Sequence, residues 1–376
     1  MMTFPLYPST SIHRFLAVHP CRKSWQPVFV MVAALATSVS FAEDRYPTFT
    51  NPEAAGRDFQ IQGEYVGHVG KVVPIGVQVI ALGGGQFDGV VYRGGLPGAG
   101  WDGSPSSYFV GKTDGRVTAL DGHWGYQLEE KNPFWQATIQ DGIIRGHDLS
   151  YRNLVEDVSF ELHKVQRTSS TMGAKPPPGA IVLFDGTDTN AWVEGQIVEK
   201  GLLRSGAITR RSFKDHRLHL EFRTPFMPTA RGMYRGNSGV FLRNRIEIQI
   251  VDSFGWTRIN RRFVRNSWVG RCGGIAEFIP PRVNMSFPPL SWQTYDIEYT
   301  AARWDEQGQE LSPALVTVRQ NGVMIHNRQV LPSESTVKAD RELGPLYLQA
   351  HHDRVVYRNI WVETTQSFKG SGHIGG

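Results

Sequence analysis

Short apolar runs separated by turn-forming residues recur along most of the chain, and this pattern predicts strands rather than helices. In the first half, glycine clusters at 83–85 and 94–98 and the Asp141-Gly142 pair divide the runs. The strands predicted here are 59–65, 76–81, 87–92, 116–120, 123–128, 134–140, 142–149 and 158–165. Their even spacing favours a meander or a small barrel.

The second half shows the same strand pattern without helical periodicity. The pair Asn321-Gly322, between two apolar runs, is the strongest hairpin signal in the chain. The strands predicted here are 202–209, 217–224, 239–242, 246–251, 294–300, 314–320, 323–327, 346–350 and 355–363. Many strands of this length without helices predict an antiparallel two-sheet sandwich of the jelly-roll type, and therefore an all-β fold.

A segment rich in serine, threonine and proline lies between the two halves. Its hydroxyl side chains favour solvent, and its run of three prolines forms a semi-rigid extended spacer. We therefore predict a β-rich domain of unknown role over 43–167, a linker over 168–179, a sandwich domain over 180–365 and a flexible tail over 366–376.

The first 42 residues have the organisation of a secretory signal peptide. Basic residues precede an apolar run over 28–42, which ends in the small-x-small pattern Ser40-Phe41-Ala42. The run is short for a membrane span, and a retained signal anchor is the alternative. We therefore predict a secreted or periplasmic protein with no membrane association once the signal is removed.

Removal of this signal changes both the charge and the cysteine count. The full chain has a formal net charge of +5, and 1–42 contains three basic and no acidic residues, which leaves +2. A nearly neutral surface favours no nucleic-acid partner. Cys272 is then the only cysteine, so no intramolecular disulfide can form, and a buried inert thiol is favoured over a nucleophile.

Two adjacent predicted strands, joined by a tight turn at 244–245, carry the most informative polar pattern. In the second strand Glu247 and Gln249 share one face, whereas its isoleucines share the other. A carboxylate beside an amide indicates a wet groove, and a plain solvent-exposed face is the alternative. Strict alternation would place Asp252 on the apolar face, and a β-bulge at Val251 would return it to the polar face.

Seven short motifs occur in order along the second half: LFDGTDTNAW at 183–192, NSGVFLR at 237–243, EIQIVD at 247–252, WQTYDI at 292–297, NGV at 321–323, LQAH at 348–351 and VYRNI at 356–360. Together they resemble the 3-keto-disaccharide hydrolase domain family. The resemblance implies a concanavalin A-like sandwich that cleaves glycosides already oxidised to a ketone at C3. It also implies a carbohydrate substrate. A further interpretation is an enzyme that is inactive on its own and serves an exported sugar oxidoreductase acting upstream. The chain departs from the family in a basic, aromatic insertion over 256–265 and at His352, where the family often has glycine.

A ketone at C3 makes the C2 proton acidic, so a base can remove it and the C1–O bond can break by elimination. This route needs a base, an electrophile for the enolate oxygen and an acid for the leaving group. Glu247 is the candidate base, Asp252 is a candidate acid or cation ligand, and His351 suits either proton role. Arg243 and Arg358 are candidates for holding the oxyanion. The candidate substrate-binding residues are Asn237, Arg243, Gln249, Trp292 and Gln349.

Three other interpretations stay open. The EIQIVD motif is similar to the EIDIVE motif of laminarinase-type glycosidases, but its final aspartate is one carbon shorter, which weakens an ordinary retaining mechanism. A carbohydrate-binding module without catalysis would need only an aromatic platform and hydrogen-bonding groups. A divalent cation, the one cofactor left open, would be held by four residues without a recognised ligand spacing: Glu247, His351, His352 and Asp353. At single positions, Arg358 could instead pair with an acid at a sheet edge, and Trp292 could belong to the core.

Overall fold

The computed structural model describes residues 46–70, 72–104, 107–123, 134–148, 159–256, 270–276, 278–331, 343–351 and 353–364. The predicted signal peptide, the predicted tail, most of the basic insertion and His352 lie outside the described residues. Within the described part, no helix has the length and apolar character that a membrane crossing requires.

Eight antiparallel strands in the first half form a closed barrel. Each strand pairs with its neighbour in the chain, and the last strand pairs with the first. The strands are β1 (Gly63–Val69), β2 (Val73–Gly83), β3 (Gln86–Arg93), β4 (Ser107–Asp114), β5 (Val117–His123), β6 (Trp135–Gln140), β7 (Ile143–Asp148) and β8 (Ser159–Val165). The predicted meander thus closes on itself, which leaves no unpaired strand edge.

Strand glycines make room for large aromatic side chains in this barrel. A Cβ atom added at Gly89 would lie 1.8 Å from the Phe109 ring, and one added at Gly122 would lie 1.8 Å from the Trp135 ring. Each ring therefore occupies the space that a side chain at the glycine of the neighbouring strand would fill. The glycine content of the first half reflects this close packing as well as its turns.

A short helix, α1 (Gly56–Ile61), precedes the barrel. The strand predicted over 59–65 is therefore wrong in its first residues. The ring of Phe59 packs edge-on against Phe226, with 5.3 Å between centroids, and Ile61 is buried. These tertiary contacts outweigh the local strand preference of the aromatic and branched residues.

The second half forms the predicted two-sheet antiparallel sandwich, which confirms the all-β fold. Its strands are β9 (Ile181–Phe184), β10 (Trp192–Val193), β11 (Ile197–Val198), β12 (Leu202–Arg204), β13 (Ala207–Phe213), β14 (His216–Arg223), β15 (Ser238–Leu242), β16 (Ile246–Ile250), β17 (Gln293–Thr300), β18 (Arg303–Trp304), β19 (Glu310–Ser312), β20 (Leu315–Gln320), β21 (Val323–Val330), β22 (Gly344–Leu348) and β23 (Val356–Thr364). A 3-10 helix spans Gly232–Tyr234. The turn between β20 and β21 has positive φ at Asn321 and Gly322, as the predicted hairpin requires.

The two main sheets of the sandwich enclose one large apolar core. The five-stranded sheet has the order β10-β13-β22-β15-β16. The eight-stranded sheet has the order β11-β12-β23-β14-β17-β20-β21, and β9 pairs with β23. Each sheet therefore has an inner face on the core and an outer face, and these outer faces lie on opposite sides of the core.

The barrel and the sandwich belong to one unit of the chain and contact each other. Phe49 forms a backbone bridge with Phe226, and the Arg231 guanidinium donates to the backbone oxygen of Leu82 at 2.9 Å. The predicted linker lies against the eight-stranded sheet, where the Thr171 hydroxyl donates to the Asp296 carboxylate at 2.7 Å. The domain boundaries at 168–179 stay a prediction.

Candidate active site

The strand pair β15 and β16 places Glu247 and Gln249 on the outer face of the five-stranded sheet. The register is regular, with Phe241 opposite Glu247 and Gly239 opposite Gln249. The alternate residues Val240, Leu242, Ile246, Ile248 and Ile250 lie in the apolar core. Because side chains alternate between faces, the two polar residues project away from that core.

The glycine at position 239 creates the space that the Glu247 carboxyl group occupies. A Cβ atom at this position would lie 2.4 Å from Glu247 Oε1 and 3.1 Å from its carboxyl carbon. On its other side, Gly239 accepts a backbone hydrogen bond of 2.8 Å from Gln349. The carboxylate therefore lies over bare backbone, between strands that carry Gln249 and Gln349.

Three amide side chains on or next to strands β15, β16 and β22 keep an oxygen atom without a hydrogen-bond partner among the described residues. These atoms are Asn237 Oδ1, Gln249 Oε1 and Gln349 Oε1. Gln249 and Asn237 are 5% and 6% exposed. An unpaired buried polar group costs about 1–3 kcal/mol, so three of them together indicate a place where ligand hydroxyl groups or water bind.

An aromatic pair continues the same face beside Glu247. The rings of Phe241 and Tyr347 lie 5.7 Å apart, with 47° between their planes. The two residues are opposite each other in the β15–β22 pairing. The Tyr347 hydroxyl accepts a hydrogen bond of 3.2 Å from the backbone of Ala350, which fixes the ring. Such rings can pack against the C–H face of a sugar.

The sequence did not single out Phe241 or Tyr347. The signal was present, because Tyr347 and Gln349 alternate with buried leucines at the end of β22, where Gln349 directly follows the strand. Pairing of β22 with β15 was the missing information, since the two strands are about a hundred residues apart in the chain.

His351 lies in the loop that follows Gln349, at the end of the face that holds Asn237. The backbone N–H of Asp353 donates to the backbone oxygen of His351. The Asp353 carboxylate in turn accepts the backbone N–H of Asn237 at 2.5 Å. This loop is therefore tied to the start of β15, and the exposed His351 lies at the rim of the site.

Asp252 does not project into the groove as predicted. The β15–β16 pairing is regular over 246–250 and the strand ends at Ile250, so the pairing does not extend to Val251, where the bulge was predicted. Ile250 and Val251 both lie in the core, and Asp252 is 1% exposed. Its carboxylate accepts hydrogen bonds from Arg235 Nη2 at 2.7 Å and Nε at 3.1 Å. Burial raises the pKa of Asp252 and the Arg235 guanidinium opposes that shift, so the pair acts as a buried support beneath the site.

The predicted substrate-facing position of Arg243 is also wrong, because this residue lies at the hairpin turn and not on the outer face. Its backbone has φ 55°, and its Nη1 donates to the Tyr299 hydroxyl of the other sheet at 3.3 Å. The side chain is 4% exposed. It therefore reaches between the sheets and does not face Glu247.

Arg358 and Trp292 lie on the outer face of the eight-stranded sheet, across the core from Glu247. In β23, Tyr357 faces the core and binds the Ser238 hydroxyl at 2.7 Å, so Arg358 faces outward. Arg358 Nε donates to Glu221 Oε2 at 2.7 Å, and its guanidinium lies 3.9 Å from the centre of the Trp292 ring. Arg358 therefore does not lie beside Glu247, as the predicted role in holding the oxyanion requires, and the alternative of pairing with an acid is the one observed.

Neither a nucleophilic thiol nor a metal cluster is found in the described parts of the chain. Cys272 is fully buried beside the Tyr295 hydroxyl, with 3.0 Å between sulfur and oxygen, and burial raises the pKa of its thiol. Within the described ranges, no group of three His, Cys, Asp or Glu side chains comes together as a metal site. The cation hypothesis also used His352, which lies outside the described residues.

Comparison with known proteins identifies the family to which the sandwich belongs. Residues 179–363 match the model of the 3-keto-alpha-glucoside-1,2-lyase-like domain. Among curated proteins, none gives a significant match. One solved structure, of a Parabacteroides distasonis protein described as a candidate glycosyl hydrolase, is 31% identical in sequence to this chain. The match covers 49% of this chain and 83% of that chain, and the TM-score is 0.42. A second protein of that organism, described in the same words, is 20% identical over 49% of this chain and 98% of its own, with a TM-score of 0.35. The chain thus belongs, through its sandwich, to the 3-keto-alpha-glucoside-1,2-lyase-like domain family of glycosyl-hydrolase-like proteins.

Proposed function

We propose that the sandwich cleaves 3-keto-glycosides, with Glu247 as the base that removes the C2 proton. The observation that carries this proposal is the placement of the Glu247 carboxylate over Gly239, among three amides with unpaired oxygens. The amides suit a substrate rich in hydroxyl groups, because each side chain both donates and accepts hydrogen bonds. The aromatic pair of Phe241 and Tyr347 offers a surface for the sugar ring.

The buried ion pair of Asp252 with Arg235 favours elimination over an ordinary retaining mechanism. A retaining glycosidase needs two carboxyl groups about 5–5.5 Å apart, both facing the glycosidic bond. Asp252, the second carboxylate of the EIQIVD motif, is held by Arg235 in a buried ion pair. Elimination from a 3-keto sugar needs one carboxylate as the base rather than two facing carboxyl groups, and Glu247 can supply it.

The proposed reaction begins with transfer of the C2 proton to Glu247, while negative charge develops on the C3 oxygen. Amide N–H groups of the surrounding side chains would stabilise that oxygen. The electrons of the C2–H bond then form a C1–C2 double bond as the C1–O bond breaks. In this proposal His351 protonates the departing oxygen, and water can add to the unsaturated sugar afterwards.

The proposal requires a ketone before cleavage, and therefore a sugar oxidoreductase that acts first. Export to the periplasm or the medium, which the signal over 1–42 predicts, would place both enzymes in one compartment. The upstream oxidoreductase is required by the chemistry, export is predicted from the sequence, and both belong to the proposal.

The direct test compares a 3-keto-glucoside with the matching unoxidised glucoside. Cleavage of the keto compound alone, with a slower rate for substrate deuterated at C2, is the expected result. Equal cleavage of both compounds would instead support a laminarinase-like mechanism. Binding of both without turnover would make the domain a carbohydrate-binding module.

A further inference from the structure

A cleft of about 430 Å³ lies where the barrel meets the sandwich. The barrel side supplies 59–60, 62–64 and 164–167, and the sandwich side supplies 288–291. None of these residues belongs to the candidate active site around Glu247. The volume is within the range of small-molecule sites, so this cleft can hold a ligand of its own.

The buried side chain of Gln62 is the first evidence that this cleft binds a ligand. The side chain is 3% exposed, and its Oε1 accepts a hydrogen bond of 2.9 Å from the backbone N–H of Ala81. That bond fixes the amide and leaves Nε2 without a partner among the described residues. Gln62 lines the cleft, and its buried NH₂ group has two donors that no described residue accepts. The missing partner is an acceptor oxygen.

The charged groups along the cleft largely satisfy one another. The Glu64 carboxylate is 1% exposed and accepts bonds from Arg167 Nε at 2.7 Å and from Gln78 Nε2 at 2.9 Å. Lys164 donates to the backbone oxygen of Gln60. With Glu53 the lining holds two acidic and two basic groups, so it carries no net formal charge. A neutral ligand is favoured, because an ion would find no excess of opposite charge.

The remaining walls are apolar or weakly polar. Phe59 and the segment Pro288-Pro289-Leu290 supply C–H surface, and Ser291 adds a hydroxyl group. A sugar ring combines an apolar C–H face with hydroxyl groups at its edge, so it fits a site that joins apolar walls to a fixed amide donor.

We propose that this cleft binds a neutral saccharide without cleaving it, and that the bound sugar contacts the barrel and the sandwich together. The barrel would then be an accessory carbohydrate-binding module whose site is completed by the sandwich. This inference is independent of the role of Glu247, because it uses an unoxidised sugar and other residues.

The test is titration of the full mature chain with unoxidised glucose disaccharides, such as maltose, cellobiose and trehalose, by calorimetry. Hydrogen–deuterium exchange locates the site, and protection at 59–64 and 288–291 is expected. Gln62→Glu keeps the acceptor for Ala81 and removes the two donors, so affinity should fall about tenfold or more. Gln86→Glu makes the same change at an exposed barrel position and should bind as the wild type does.

A second variant keeps the inference testable if Gln62→Glu folds poorly. Ser291→Ala removes a hydroxyl group from the sandwich wall and should weaken binding several-fold, with the thermal midpoint retained. The inference is overturned if no disaccharide protects the cleft segments or if affinity is unchanged in well-folded Gln62→Glu. Tighter binding of glucuronate than of a neutral sugar would also overturn it.

Discussion

Gly239→Ala should displace the Glu247 carboxylate without unfolding the sandwich. The new Cβ would lie 2.4 Å from Glu247 Oε1, whereas ordinary contacts begin at 3.4 Å, so the oxygen would have to move by about 1 Å. A displacement of that size can cost about 10²-fold in rate. The backbone at position 239 has no positive φ, so alanine fits the strand and can even stabilise it by up to about 1 kcal/mol.

The assay is the kcat for a 3-keto-glucoside, measured together with the urea midpoint of unfolding. Gly270→Ala is the matched control, because its Cβ would meet only Met233 Sδ at 3.4 Å and the backbone φ is ordinary. Its kcat should stay near that of the wild type. The urea midpoint of Gly239→Ala should be equal to the wild-type value or slightly above it.

A double-mutant cycle separates displacement of Glu247 from any other effect of the added methyl group. In a Glu247→Ala background, the alanine at position 239 meets no carboxylate and should cause no further loss. Full activity of Gly239→Ala would refute the proposed role of the carboxylate position. An equal loss in both backgrounds would show that the methyl group acts on something other than Glu247.

Three further predictions follow from the buried and catalytic groups. Glu247→Gln should lower kcat by about 10²–10⁴-fold with an unchanged urea midpoint, and full activity would remove Glu247 from the chemistry. Arg235→Met leaves the buried Asp252 carboxylate without its cation, so the free energy of unfolding in urea should fall by about 3–5 kcal/mol. The double variant Arg235→Met with Asp252→Leu should recover most of that loss. Additive losses in the double variant would contradict the proposed ion pair. Burial lowers the pKa of His216 from 6.5 to about 4. As the pH falls from 6.5 to 4, the imidazole is protonated in the unfolded chain but stays neutral in the folded chain, so the folded state loses stability. Wild-type stability should therefore drop by about 3 kcal/mol more than that of His216→Phe between pH 7 and pH 4, and equal losses would show that another group causes the acid sensitivity.

Local pattern was sufficient wherever one strand decides the outcome. Alternation in EIQIVD placed Glu247 and Gln249 together, because side chains in a strand repeat every two residues. The Asn321-Gly322 turn was predictable for a similar reason, since few residues adopt the required positive φ. The ordered motifs of the second half also identified the family, over nearly the residues that its model matches.

Alternation fails where a strand ends or where tertiary contacts compete with it. At Asp252 the regular pairing has stopped, and burial beside Arg235 decides the orientation of the side chain. At Phe59 the contact with Phe226 of the sandwich favours a helix over the predicted strand. Neither partner is close in sequence, so no local pattern could reveal these contacts.

The sequence by itself determined the all-β class, the two halves of the chain and the polar face that carries Glu247. Only the tertiary structure decided which strands share a sheet and which face of the sandwich each polar side chain occupies. It brought Tyr347 and Gln349 beside Glu247, and it placed Arg358 across the core. The physical reason is that alternation defines two faces for each strand, whereas burial of the whole apolar core selects the neighbours of that strand and the side on which each face lies.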